Sequence, residues 1–224
     1  MFSNVKLYKS LFMSGGLKLV IYYFLNCHMF DLVNRTDTHQ MMSKADMKVD
    51  SHNFEQSLMY MVSWTRTLNR AFEELIKIAN IENYDFIDLG CGKGKACFIA
   101  RKVELLGKSS LRYFGVDFES NLIGIARENS IKIFKDEGNF IFEDVTKLDW
   151  KSFGEYVVVY LYNPFSSLII KEVIQHIGDK KTIVLYTNPA EVETFMDLGY
   201  KVLYSKVSWH ANLNFKILTN HAFK

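Results

Sequence analysis

An α/β domain built on a mostly parallel sheet, with helices covering both faces, is the fold class this sequence predicts. Three observations lead there. Short apolar runs alternate with amphipathic helical patterns from Trp64 to Leu198, the signature of strand–helix–strand units. A glycine-rich turn, Gly90-Cys91-Gly92-Lys93-Gly94, joins the first of those strands to the helix behind it. The tail then breaks the rhythm. Tyr200 to Ser208 and Asn212 to Thr219 have no helix between them, which predicts an antiparallel C-terminal hairpin.

Taken in order, Val5 to Phe24 reads as mainly helical, interrupted at Gly15-Gly16. Its most apolar part, Leu17 to Leu25, contains Lys18 and is far shorter than the ~20 residues of a spanning helix. No small-residue cleavage pattern follows Leu25, so a signal peptide fits poorly. This helix has three open placements, in order: against the domain, against a partner subunit in a homo-oligomer, or on a membrane surface. Asn34 to Asn53 is polar and aperiodic; it is expected to be a loop, placed where a lid could close over a ligand. Residues 1–53 are therefore an extension, and residues 54–224 the domain.

Within the domain, Trp64, Leu68, Ala71, Phe72, Leu75, Ile76 and Ala79 recur at helical steps. Strands are expected at Asp85 to Asp88, Leu111 to Asp117, Asn139 to Phe142, Tyr156 to Tyr162 and Thr182 to Thr187. Helices are expected after Gly94, after Glu119, at Ser166 and at Ala190, with Asn188 a candidate cap for the last and, at a strand end, a substrate-side residue as the alternative. No internal repeat or low-complexity stretch is present.

The glycine turn holds the first chemical clue. Glycine is required where a Cβ would collide with a ligand or where φ must be positive, and a helix start offers N–H groups. Dinucleotide-binding turns read Gly-x-Gly-x-x-Gly. Here the third glycine comes one residue early, and Asp88 stands two residues before Gly90. The bland alternative is a tight strand–helix connection.

The Asp88-to-Gly94 turn resembles the first motif of class I S-adenosylmethionine-dependent methyltransferases, acid-x-Gly-x-Gly-x-Gly. The resemblance implies S-adenosylmethionine as cofactor, with its ammonium suited by the acid near Gly90, Cys91, Gly92 and Gly94. It further implies that Asp117 receives the ribose hydroxyls; capping of the following helix is the competing role. Asp144 would meet the adenine amino group, with Glu143 as competitor. After the fourth strand, Asn163-Pro164-Phe165 stands where the family places its catalytic motif, one proline short of the form typical of amino-directed members. There an amide and a backbone carbonyl hold the target N–H groups while an aromatic ring covers the acceptor. The implied fold is a Rossmann-like, doubly wound seven-stranded sheet, its seventh strand inserted antiparallel between the fifth and sixth.

From Phe54 to Leu218 the chain is also similar to a loosely described group of small bacterial methyltransferases, remotely similar to the nucleosomal lysine methyltransferases. In that group a Tyr-x-x-Ser/Thr stretch often touches the methionine end of the cofactor. Tyr60 and Ser63 occupy that place here, and Ser63 serves equally well as a helix cap. The implied reaction is in-line transfer of the sulfonium methyl, with nitrogen favoured over oxygen. The acceptor is open: a protein side chain, a small metabolite, a glycan precursor or RNA.

Composition sets limits. The net charge is +2, without the basic concentration of a dedicated nucleic-acid binder. Cys27, Cys91 and Cys97 show no metal-type spacing and are too few for a disulfide framework. A reducing, cytoplasmic setting is expected, and Cys91 reads as a small filler. The six histidines lack ligand spacing, so no metal site is expected; His210 is the one worth testing as a base. Two rivals remain at this level: a non-catalytic S-adenosylmethionine-binding regulator or scaffold, and a nucleotide-dependent oxidoreductase.

Overall fold

The computed structural model describes residues 2–39, 62–105, 111–162 and 165–222. Its seven strands are β1 (Asp85–Leu89), β2 (Arg112–Asp117), β3 (Phe140–Phe142), β4 (Tyr156–Tyr162), β5 (Lys181–Thr187), β6 (Lys201–Lys206) and β7 (Phe215–Thr219). They lie in the order β3-β2-β1-β4-β5-β7-β6. The first five are parallel, and β7 pairs antiparallel with both β5 and β6. The expected sheet, including the inserted last strand, is what forms.

The central strands are buried on both faces, and consecutive side chains enter opposite cores. Phe86 of β1, Val158 and Tyr160 of β4, and Ile183 of β5 pack with helices α3 (Thr65–Ile78), α4 (Lys95–Leu105) and α5 (Ser120–Phe134). Ile87, Val159 and Val184 point the other way, to α6 (Ser167–Ile177) and α7 (Val192–Asp197). Full burial of each such side chain contributes roughly 1.5–3 kcal/mol. Helices start where the apolar periodicity begins. α5 is capped by Glu119, whose carboxylate accepts the Leu122 N–H.

At the N-terminal ends of the strands, Asp85 is buried. It accepts two hydrogen bonds from Arg112, each 2.6 Å, and one from the Gly154 N–H. This clamp joins β1, β2 and the approach to β4 at the strand ends opposite the glycine turn.

Helix α1 (Phe2–Tyr23) breaks at Gly16, whose φ is 64°, as the paired glycines predict. Beyond it the chain stays helical through a π-helical turn, Phe24–His28, and α2 (Met29–Asn34), which ends at Arg35 in the left-handed region. The expected loop therefore starts after Asn34, because Phe30 and Cys27 are buried and hold this segment in register. Residues 36–39 are pinned rather than lid-like: Asp31 accepts hydrogen bonds from Thr36, Thr38 and His39. The remainder of the anticipated lid, residues 40–53, lies outside the described residues.

Candidate active site

The ends of β1, β2 and β3 bring the glycine turn, Asp117 and Asp144 to one edge of the sheet. The turn after β1 is held against the end of β2: the Gly90 and Cys91 amides both donate to the Val116 carbonyl, at 2.9 and 3.0 Å. The Gly92 amide donates to the Asp117 carboxylate at 2.8 Å, and the Gly94 amide to the Cys91 carbonyl. These N–H groups are turned inward, so the loop presents chiefly its bare Cα surface to a ligand. Gly92 and Gly94 have φ of 51° and 85°, and a Cβ on Gly94 would meet the Phe98 and Phe140 rings at 2.8 Å.

Asp117 is fully enclosed. Its second oxygen accepts the Glu119 N–H at 3.0 Å, so it supports the turn before α5 while Glu119 does the helix capping. Burial pushes its carboxyl up to about 6, against the lowering effect of the Gly92 and Glu119 amides. Asp88 is also buried, and burial together with the Asp117 charge raises its pKa well above the carboxylate range. Its one hydrogen bond among the described residues is the Cys97 thiol at 4.0 Å. Two crowded, desolvated carboxylates call for a cationic, hydroxyl-bearing ligand. S-adenosylmethionine, with an ammonium, a sulfonium and a ribose diol, fits that donor set.

Beyond β3, the Glu143 N–H donates to the Asp117 carbonyl. Asp144 is half-buried and accepts the Thr146 amide and hydroxyl; Glu143 is exposed. The Glu143 carboxylate in turn accepts the Asp144 N–H at 2.9 Å. The Cys91 sulfur packs against Gly115, and burial raises its pKa well above the thiol range; the side chain is a filler.

At β4, the Tyr160 hydroxyl donates to Ser63 Oγ at 3.0 Å and pairs with Thr187 at 2.8 Å. Trp64, not Ser63, occupies the cap position of α3, so the capping reading of Ser63 is corrected: its hydroxyl faces β4. Tyr60, Asn163 and Pro164 lie outside the described residues. Phe165 is buried in the cluster holding Leu89 and Leu161. Asn188 is corrected too: it sits at φ 48° with its N–H on the Asn214 carbonyl, and Glu191 precedes α7.

The structure adds residues that local pattern did not signal. The buried Lys95 ammonium donates to the Asn26 carbonyl at 2.7 Å, and burial lowers its pKa to about 8. Lys93, inside the glycine turn, pairs with Asp37 at 3.1 Å, while Asp37 and Asn129 join through main-chain and side-chain groups. The N-terminal extension thus braces the turn from outside. His28 and His39 have ring centroids 4.0 Å apart, and His39 Nδ1 lies 2.6 Å from Asp31. No metal-holding group of three forms among the described residues. His210 stacks on Trp64 and accepts the Asn212 N–H.

Comparison with known proteins agrees with this fold. A family model described as a methyltransferase domain matches residues 80–221. No curated protein matches. Among solved structures, a candidate RNA methyltransferase from Pyrococcus horikoshii superposes with a TM-score of 0.53 at 14% identity, over 79% of this chain and 93% of that one. A mutant MtNAS crystallised with S-adenosylmethionine gives 0.51 at 12% identity, over 69% of this chain and 62% of that one.

Proposed function

We propose, since this chain belongs to the methyltransferase-domain family, that it methylates a nitrogen of its acceptor. It is a class I S-adenosylmethionine-dependent enzyme. When bound, the cofactor supplies an already activated sulfonium methyl, so the protein's task is chiefly positioning. Good alignment alone is worth ~7–11 kcal/mol.

Asp88 holds the ammonium, with Ser63 and Tyr60 beside the methionine end. Gly90, Gly92 and Gly94 let the cofactor lie against the backbone. Asp117 takes the ribose hydroxyls and Asp144 the adenine amino group. At the end of β4, the Asn163 amide and Pro164 carbonyl orient the acceptor.

The observation that favours nitrogen is the Asn163-Pro164-Phe165 sequence directly after β4, the strand beside β1 at the switch in strand order, where ligands bind in open α/β sheets. A second feature agrees. A hydroxyl acceptor needs a base, whereas burial raises the pKa of both Tyr160 and Tyr162 and keeps these phenols protonated. A neutral amine needs only its lone pair free and aligned.

Transfer of labelled methyl from S-adenosylmethionine into fractionated lysate, followed by acid and base hydrolysis of the product, tests this reading. Label that survives as N-methyl supports it; base-labile ester or O-methyl product would overturn it.

A further inference from the structure

All 25 acidic residues of the chain lie between Asp31 and Asp197. The flanking segments, residues 1–30 and 198–224, hold three and four lysines and neither an acid nor an arginine. Tertiary structure brings these two ends together. The Lys18 ammonium lies 4.2 Å from the centre of the Trp209 ring, which also meets Tyr22 edge-on at 5.4 Å. Leu213 packs beside Leu19 and Tyr23.

Helix α1 buries one face through Leu19 and Tyr23, and its other face is apolar and exposed among the described residues. Met13 is 77% exposed ahead of the Gly16 break, and Leu17 63% and Ile21 47% after it; Trp209, which meets the helix at Lys18 and Tyr22, is 45% exposed. Leu17, Ile21 and Phe24 follow one another at four- and three-residue steps, so they share a face. Exposed apolar side chains grouped on one helix face in this way mark an interaction site.

We propose that this face rests on an anionic phospholipid surface. An interfacial helix sets an exposed apolar face beside lysines that anionic headgroups attract. Among the described residues no helix is long and apolar enough to cross a membrane, so the helix lies in the surface plane. RNA fits less well, because the exposed side chains are mostly aliphatic and arginine is absent, whereas single strands are held by aromatic stacking. A second copy fits less well too, because like-charged segments would meet without one acid to pair them.

The test is co-sedimentation of the full chain with vesicles of phosphatidylglycerol and phosphatidylcholine, and with phosphatidylcholine alone. Binding should require the anionic lipid. It should weaken about tenfold or more between about 50 and about 500 mM salt, as surface charges are screened. Leu17→Glu/Ile21→Glu should lose about tenfold or more of that binding, with S-adenosylhomocysteine affinity unchanged as the folding control. Absence of anionic-vesicle binding overturns the proposal. So does equal binding by the variant, or a dimer in sedimentation velocity that the double substitution dissolves while vesicle binding is absent. RNA binding that outcompetes the vesicles overturns it as well.

Discussion

The Asp117 carboxylate accepts the Gly92 amide at 2.8 Å, so the side chain placed for the ribose also fixes the glycine turn. One residue therefore couples cofactor recognition to the shape of the loop. Asp117→Ala removes an acceptor and strands a buried amide, which costs about 1–3 kcal/mol. S-adenosylhomocysteine affinity should fall tenfold or more, about 1.4 kcal/mol at least, in calorimetric titration. An unchanged affinity would remove Asp117 from the ribose assignment.

Affinity should also depend on pH, with a sign that follows from Asp117. Its carboxyl rises from 3.8 to about 6 on folding, and ribose hydroxyls donate to the ionised form. The Asp117 contribution to S-adenosylhomocysteine binding should therefore be flat above about pH 6.5 and weaken by up to about tenfold per unit below 6, read as the difference between the parent and Asp117→Ala. Between about pH 4 and 6 the folded, ligand-free state holds a proton that the unfolded chain releases, so this group's contribution to stability falls as pH rises. Titrations from pH 5 to about 7.5 and urea midpoints over the same window check the two halves separately.

Gly94 combines a left-handed backbone with two aromatic rings at 2.8 Å from any added Cβ. Gly94→Ala should destabilise the protein by about 2–4 kcal/mol, from overpacking and the unfavourable φ. The lowered urea midpoint should come with weakened S-adenosylhomocysteine binding. A midpoint matching the parent would show that Phe98 and Phe140 can move aside.

Asn163→Ala should separate binding from turnover. Cofactor-product affinity stays the same, while kcat on an identified acceptor drops about a hundredfold through lost alignment. Full turnover by this variant would dismiss the turn after β4 as the catalytic motif.

Asp31 is buried, and although burial opposes ionisation, hydrogen bonds from His39, Thr36 and Thr38 hold its pKa below the ordinary value. Asp31→Ala leaves the Thr38 and His39 amides without that acceptor, a cost of about 2–4 kcal/mol. Limited proteolysis should then cut near residues 36–39 before the domain unfolds. Resistance equal to the parent would mean that the Asn129 and Lys93 contacts suffice to hold the segment.

The strands, the glycine turn and the acids at Asp88, Asp117 and Asp144 were legible in the sequence because each is a local pattern. An apolar run of strand length ending in an acid and a glycine needs no distant partner to be read. The bracing of that turn was not legible. Lys93 meets Asp37 across 56 residues, Lys95 meets Asn26 across 69, and Tyr160 meets Ser63 across 97. Asn188 had a suitable residue type for a cap, but main-chain pairing with Asn214 holds it away from the start of α7.

By itself, then, the sequence determined the strand–helix rhythm, the antiparallel last strand and a loop shaped for S-adenosylmethionine. Those features follow from side-chain periodicity and from where glycine alone is tolerated. Only tertiary structure decided that the loop amides turn inward to Val116 and Asp117, that residues 26–39 brace the loop, and that two acid-free chain ends meet at Lys18 and Trp209. Each of these is a contact between residues far apart in the chain, and no local propensity encodes which partner burial will supply.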